Sequence, residues 1–242
     1  RALFETMNIW FGYSRQTTPV NYMHFHFTSA DKIYEYYCLI NLYDMILALG
    51  YHLCENGYYK HIYALPNPQY HQEDEDNTFV FEKDNKVLTL YFQPVIYSRQ
   101  MRNTNNITLF RTDRSFYVPD FLVKIVEYTS WERTSIEKIT YGVIDAKWRN
   151  RLVLTNKDVA GSLNDLIMKY VFSIRDYLTE QPIEFLWLLQ GKDDSDTNAP
   201  YFFHKGNISQ TLSNKFRYSS AILQLTPDYG NKDVLDALKV FL

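Results

Sequence analysis

The sequence predicts an α/β domain in which helices flank a mixed central sheet. Apolar residues recur with the helical period over residues 28–50 and 162–178. Between and after these segments lie short runs rich in Val, Ile, Phe and Tyr, the residue types that β-strands favour. The order strand, helix, strand over residues 141–189 indicates a crossover that joins two parallel strands. These patterns together favour a mixed sheet with helices on its faces.

The composition is that of a globular protein with a substantial core. Hydrophobic residues make up 46% of the 242 residues, which excludes an intrinsically disordered chain. No run of about 18 uncharged apolar residues occurs, so we expect no membrane partner. With two cysteines in the chain, we expect no scaffold of disulfide bonds. This composition is typical of proteins in the reducing cytoplasm. The formal net charge of −3 argues against a strongly basic nucleic-acid binder, although acids gathered at a metal site would conceal a local basic patch.

We divide the chain into an N-terminal arm at residues 1–27 and one domain at residues 28–242. The arm is rich in aromatic residues, and because the chain starts at Arg1 we expect it to be a linker from an upstream region. His24 and His26 alternate with aromatic residues there, which indicates a strand face better than a metal site.

The first half of the domain begins with the clearest helix. Thr28 or Ser29 can cap it, and Gly50 is a natural residue for its end. Residues 55–78 are expected to form a surface loop, and the acidic run 73–76 within it is expected to be solvated. A hairpin follows, in which the turn 83–86 joins strands at residues 79–81 and 87–97.

The second half begins with a polar loop over residues 98–115, for which a solvated surface and phosphate contact are both open. Its basic residues are Arg99, Arg102, Arg111 and Arg114. Strands are expected at residues 116–128, 141–148, 183–189, 201–203 and 218–225. Ser162 and Asp165 form a capping-box-like start to the helix 162–178, and a terminal helix is expected at residues 233–241.

An aspartate and a lysine lie together in a predicted strand whose other residues are mostly apolar. Asp145 and Lys147 are two positions apart and therefore project from the same face, while Ile144, Ala146 and Trp148 point to the other. Asp120 also interrupts an apolar run. If its strand neighbours that of Asp145, two carboxylates converge and repel, and a divalent cation such as Mg²⁺ would relieve the repulsion.

These residues resemble the motif of the PD-(D/E)XK nuclease superfamily. The resemblance covers roughly residues 28–190, and within the superfamily the chain resembles the McrC and LlaJI types of restriction endonuclease subunit. The motif elements are residues 31–37, 118–120, 144–148 and 169–170. Asp145 follows Asp120 by 25 positions, which is longer than the family often shows and indicates an insertion or a long hairpin.

The resemblance implies a restriction-endonuclease-like fold and hydrolysis of DNA phosphodiester bonds. It implies that Asp120, Asp145 and the Ala146 carbonyl hold Mg²⁺, or Mn²⁺ in its place, and that Glu35 joins them directly or through water. It further implies that Lys147 orients or helps to deprotonate the attacking water, with Lys169 nearby on the following helix.

The implied partners are DNA and a GTPase motor subunit or an upstream DNA-recognition domain, in a cytoplasmic restriction or defence system. Because one such site cuts one strand, a homodimer is a further expectation.

Two other functions remain open at this point. One is a catalytically silent relative that binds DNA or acts as a scaffold, and the other is a Mg²⁺ enzyme of another kind, such as a phosphatase. Single residues also have simpler explanations. Asp145 with Lys147 could be an exposed edge pair, Asp120 a turn residue, Glu35 a satisfied rim acid, and Lys169 a surface partner of Asp165.

Overall fold

A large sheet organises the chain in the computed structural model, which describes residues 30–63, 77–99, 108–112, 116–156, 158–192, 201–202, 220–227 and 231–242. The strands are β1 (His52–Tyr59), β2 (Thr78–Lys83), β3 (Lys86–Phe92), β4 (Leu109–Arg111), β5 (Phe121–Tyr128), β6 (Ile136–Lys147), β7 (Ile174–Asp176), β8 (Phe185–Gln190), β9 (Tyr201–Phe202) and β10 (Ser220–Gln224). The helices are α1 (Ala30–Ala48), α2 (Arg151–Thr155), α3 (Leu163–Leu166), which continues as a π-helical turn at Ile167–Val171, and α4 (Asn231–Phe241).

Several predicted features lie outside the described residues. They are the arm 1–27 with its His24 and His26, the cap at Thr28 or Ser29, the acidic run 73–76, Arg102 and Arg114.

Eight strands form one sheet in the order β1-β2-β3-β5-β6-β8-β10-β9, and β4 pairs with β7 in a separate two-stranded sheet. β6 pairs with β8, and β8 with β10, in parallel, whereas the other pairs of described strands in the large sheet are antiparallel. The predicted α/β class and mixed sheet are therefore confirmed, with a sheet that is mostly antiparallel. The predicted crossover is also present, since it joins the parallel strands β6 and β8.

Hydrophobic side chains cover both faces of this sheet. On one face, α1 and α4 pack against rings such as Phe81, Phe121 and Trp187. On the other, α3 and the π-helical turn pack against residues such as Leu122 and Val143. Because both faces are covered, the central strand β8 is buried along its whole length, as its unbroken apolar run indicates.

The first helix ends as the sequence predicts. Gly50 has a φ of 87°, which glycine adopts without steric cost. Its N–H donates to the Leu47 carbonyl, and the Tyr51 N–H donates to the Ile46 carbonyl. This pair of bonds is a Schellman motif, which satisfies two carbonyls at the end of the helix.

The predicted hairpin is confirmed in β2 and β3, where Lys83 pairs with Lys86 across a two-residue turn. Its second strand is shorter than expected. It ends at Phe92 because Gln93 adopts a φ of 50° and Pro94, which lacks an N–H, follows.

The prediction of a surface loop over residues 55–78 was wrong in its first part, which belongs to β1. Asn56 has a φ of 55°, and the pairing of β1 with β2 shifts register between Leu53 and Tyr58. An irregularity of this kind breaks the alternation of side chains, so the sequence pattern does not reveal the strand.

The loop prediction for residues 98–115 was also wrong in part, because Leu109–Arg111 forms β4. Arg111 is 2% exposed, and its guanidinium lies over the Tyr117 ring. This arginine is therefore buried inside the fold. Arg99 is exposed and pairs with Glu180.

The helix predicted over residues 162–178 starts correctly, with the Ser162 hydroxyl accepting from the Asp165 N–H, but it ends at Val171. Ile174–Asp176 instead forms β7. Asp176 Oδ1 accepts from the N–H groups of Leu178 and Thr179, a local turn that competes with the helix. The short helix α2 was not predicted.

β5 and β6 form the long hairpin that the motif spacing indicated. β6 begins at Ile136, so the strand predicted from residue 141 starts five residues earlier than expected. Among the described helices, none is long and apolar enough to cross a membrane.

We predict that Gly142→Ala lowers the free energy of unfolding by about 1–3 kcal/mol. A Cβ at this position of β6 would overlap the ring of Phe185, which is stacked on Trp187 at a centroid distance of 4.4 Å. Urea unfolding measures the loss. Adding Phe185→Leu makes room for the methyl group and should recover part of it. If the double variant loses as much free energy of unfolding as the two single variants together, this explanation is wrong.

Candidate functional site

The predicted acids meet where β5 begins and β6 ends. Asp120 directly precedes β5, whose Phe121 pairs with Ile144 of β6, so the register sets Asp120 opposite Asp145. The carboxylate Oδ2 of Asp120 accepts from the Ala146 N–H at 2.7 Å. The hairpin thus brings the two acids together as strand neighbours, 25 positions apart in sequence.

Asp145 lies on a buried central strand, because β6 is hydrogen-bonded to β5 on one side and to β8 on the other. It is 2% exposed and shares a face with Val143, while Ile144 and Ala146 belong to the core of the opposite face. The predicted alternation of side chains along β6 is correct. Asp145 and Lys147 are therefore not an exposed pair on an edge strand.

The ammonium of Lys147 marks the point where three oxygens converge. Its Nζ contacts Asp145 Oδ1, lies 3.6 Å from Asp120 Oδ2 and lies 3.4 Å from the Ala146 carbonyl oxygen. These are the three groups that the resemblance assigns to a metal ion. A single cation position is therefore surrounded by oxygen donors at the end of β6.

The charges of this cluster depend on one another. Burial, and next the charge of Asp145, raises the pKa of Asp120 well above its ordinary value, although Lys147 and the Ala146 N–H act in the opposite direction. Burial alone would lower the pKa of Lys147, but Asp120 and Asp145 outweigh it and raise that pKa. Lys147 is therefore charged at neutral pH in the metal-free protein.

Glu35 reaches the same end of the sheet from α1. Its Oε2 accepts from Gln93 Nε2 at 2.7 Å and from Lys32 Nζ at 3.5 Å. Burial raises the pKa of Glu35, against the influence of Lys32, Gln93 and Lys147. In the described part of the chain, no group of three His, Cys, Asp or Glu side chains is arranged to hold a metal ion. Glu35 nevertheless raises the pKa of Asp120, so it lies within electrostatic range of the aspartates. A satisfied rim acid remains an explanation for it.

Lys169 and Tyr170 lie on the π-helical turn beside the cluster. The Tyr170 hydroxyl donates to Asp145 Oδ2 at 3.1 Å. The Nζ of Lys169 lies 4.9 Å from the centre of the Tyr117 ring and 4.7 Å from that of Tyr170. Burial lowers the pKa of Lys169, while Asp145 acts to raise it. Lys169 therefore faces aromatic rings near the site and is more than a surface partner of Asp165.

Two contacts of the cluster were missed in the sequence. Tyr170 was noted only as a neighbour of Lys169, and a helical period does not show that its hydroxyl reaches Asp145. Gln93 was read as part of a strand. The signal in the sequence is a polar residue that stands between an apolar run, which ends at Phe92, and Pro94. A proline at this position marks the end of the strand.

Comparisons of the chain with protein-family models, curated proteins and solved structures found no significant match. The resemblance to PD-(D/E)XK nucleases therefore depends on the residues and spacing of the motif.

We predict that Lys147→Met destabilises the protein by about 3 kcal/mol at neutral pH without divalent metal, because the buried Asp145 and the partly buried Asp120 lose their cation. Lys138→Met is the matched control. Lys138 is on the same strand and pairs with Glu184, but that pair is exposed, so its loss should cost less than about 1 kcal/mol. Urea unfolding of both variants measures the difference. Equal losses would show that the cluster at the end of β6 is no more buried than a surface ion pair.

We predict that Asp120→Asn stabilises the metal-free protein at neutral pH and that this gain shrinks as pH falls towards 3.8, the ordinary pKa of aspartate. A raised pKa means that the folded state binds a proton before the unfolded state does. The wild type therefore carries its full charge penalty above the folded-state pKa and loses the penalty on acidification. Unfolding free energies across this range test the sign. A gain that grows on acidification would contradict it.

Proposed function

We propose that this chain is a metal-dependent DNA endonuclease of the PD-(D/E)XK superfamily, with a restriction-endonuclease-like fold. The observation that carries the proposal is the convergence of Asp120, Asp145 and the Ala146 carbonyl on the ammonium of Lys147. Asp145, Ala146 and Lys147 are consecutive in β6, so the added support is that Asp120, 25 positions earlier, meets them where β5 begins and β6 ends.

The donor set suits Mg²⁺ or Mn²⁺. Carboxylate and carbonyl oxygens are the ligands that hard divalent cations prefer. Burial, and next the charge of Asp145, raises the pKa of Asp120, and a divalent cation would lower the repulsion between the two aspartates. Asp120, Asp145 and the Ala146 carbonyl would hold the metal, and Glu35 would join them directly or through water.

A bound metal ion polarises a phosphoryl oxygen and lowers the pKa of its water. The remaining work falls to the side chains. Lys147, whose raised pKa keeps it protonated, stabilises negative charge on the phosphate as the bond to the attacking oxygen forms. Tyr170 holds Asp145 by its hydrogen bond, and Lys169 supplies a second cation beside the site.

The proposed partners follow from the same resemblance. DNA is the substrate, and a GTPase motor subunit or an upstream recognition domain supplies sequence selection in a cytoplasmic restriction or defence system. The formal charge of −3 is consistent with this division, because a domain with little basic excess binds DNA weakly by itself. A homodimer would provide two sites for the two strands.

The decisive experiment compares wild type and Asp145→Asn on plasmid DNA with Mg²⁺ and with chelator. We predict that the wild type nicks DNA only with Mg²⁺ and that the variant is at least about 100-fold slower, since it loses one of the two converging carboxylates. Glu127→Gln is the control, because this acid is on β5 and pairs with Lys86. Its activity should equal that of the wild type.

The melting temperature, measured with and without Mg²⁺, separates binding from catalysis. Mg²⁺ should raise it in the wild type and in Glu127→Gln but not in Asp145→Asn. DNA binding with neither cleavage nor a Mg²⁺ effect would favour the catalytically silent alternative.

A further inference from the structure

Gln93 makes two hydrogen bonds that tie together separate parts of the candidate site. Its backbone N–H donates to the Asp120 carbonyl at 2.8 Å, and its side-chain Nε2 donates to Glu35 Oε2 at 2.7 Å. The first bond continues the β3–β5 ladder, whose last pair is Phe92 with Phe121, by one step. Gln93 thus bonds to Asp120 through its backbone and to Glu35 of α1 through its side chain.

The backbone of Gln93 is in an unusual conformation. Its φ of 50° is uncommon for a residue with a long side chain and costs conformational energy. The left-handed conformation ends β3 and accompanies the turn of the chain into Pro94. Neither the sheet ladder nor the turn requires a glutamine, because asparagine or glycine adopts this φ at lower cost.

The side chain explains why a glutamine is suited to this position. Glu35 is on α1, which packs on the face of the sheet opposite to Asp145, and its side chain is 15% exposed. Lys32 approaches the same carboxylate oxygen at 3.5 Å, a longer contact than that of Gln93. Among the described contacts of Glu35, the bond from Gln93 is the one that connects it directly to the strand ends that carry the aspartates.

We propose that Gln93 is a positioning residue that fixes the Glu35 carboxylate relative to Asp120 and Asp145 and so strengthens the binding of Mg²⁺. This inference rests on the proposed function. Carboxylates that serve a metal site are themselves commonly held by hydrogen bonds, and loss of such a bond costs about 10- to 100-fold in metal affinity or activity.

The test variant is Gln93→Asn. Asparagine keeps an amide and accepts the left-handed φ more readily than glutamine does, but its side chain is one methylene shorter and does not reach Glu35. Asp84→Asn is the matched control. Asp84 has a φ of 49° in the turn at the other end of β3, away from the site.

Titration calorimetry with Mg²⁺ should give an affinity about 10- to 100-fold weaker for Gln93→Asn than for wild type and Asp84→Asn. Melting temperatures without metal check that each variant is folded at the temperature of the titration. In a Glu35→Gln background, Gln93→Asn should have no further effect on Mg²⁺ affinity, since Gln93 acts through Glu35.

The outcomes separate this inference from the proposed function. A wild type that neither binds Mg²⁺ nor cleaves DNA overturns the proposed function and this inference with it. A wild type that binds Mg²⁺, together with Gln93→Asn at equal affinity, overturns the role of Gln93 alone. An additive effect in the Glu35→Gln background also overturns it, because that result describes a residue that acts independently of Glu35.

Discussion

Charge compensation in a nearly dry position is the constraint on which this end of the molecule depends. Asp120 and Asp145 lie opposite each other where β5 begins and β6 ends, and little water screens the repulsion between their carboxylates. Removing carboxylates from water costs several kcal/mol each unless a cation and hydrogen bonds compensate them. Lys147, the Ala146 N–H and the Tyr170 hydroxyl supply that compensation. The π-helical turn contributes to this compensation through Tyr170. The end of β3 adjoins it through the bond from the Gln93 N–H to the Asp120 carbonyl.

Features that depend on local periodicity could be predicted from the sequence. The end of α1 at Gly50, the β2–β3 hairpin and the crossover to β8 each follow from residues close in the chain. The features that were missed depend on distant partners or on irregular backbone. β4 and β7 are short strands that pair across more than 60 positions, and such pairs leave no periodic pattern. β1 contains the left-handed Asn56, which hides its alternation.

The same distinction applies to the site. The common face of Asp145 and Lys147 follows from strand alternation, and the meeting of Asp120 with Asp145 follows once the two strands pair as a hairpin. Gln93 could not be assigned in this way, because it meets Glu35 across 58 positions. Gln93 makes that contact from a left-handed backbone, and the sequence shows no more than the polar residue before Pro94. The position of Glu35 likewise depends on how α1 packs on the sheet.

The β5–β6 hairpin carries its acids at the open end and its turn at the closed end. The eight residues of β5 span about 27 Å. The register irregularity between Glu127 and Tyr128 lies on the turn side, where it can absorb an inserted residue without shifting Asp120 against Asp145. The turn 129–135, with Trp131 78% exposed, is therefore free to diverge in length and sequence while the chemistry is preserved. An exchange of this segment would have to keep Arg133, whose guanidinium pairs with Glu82 and donates to the Asp84 carbonyl.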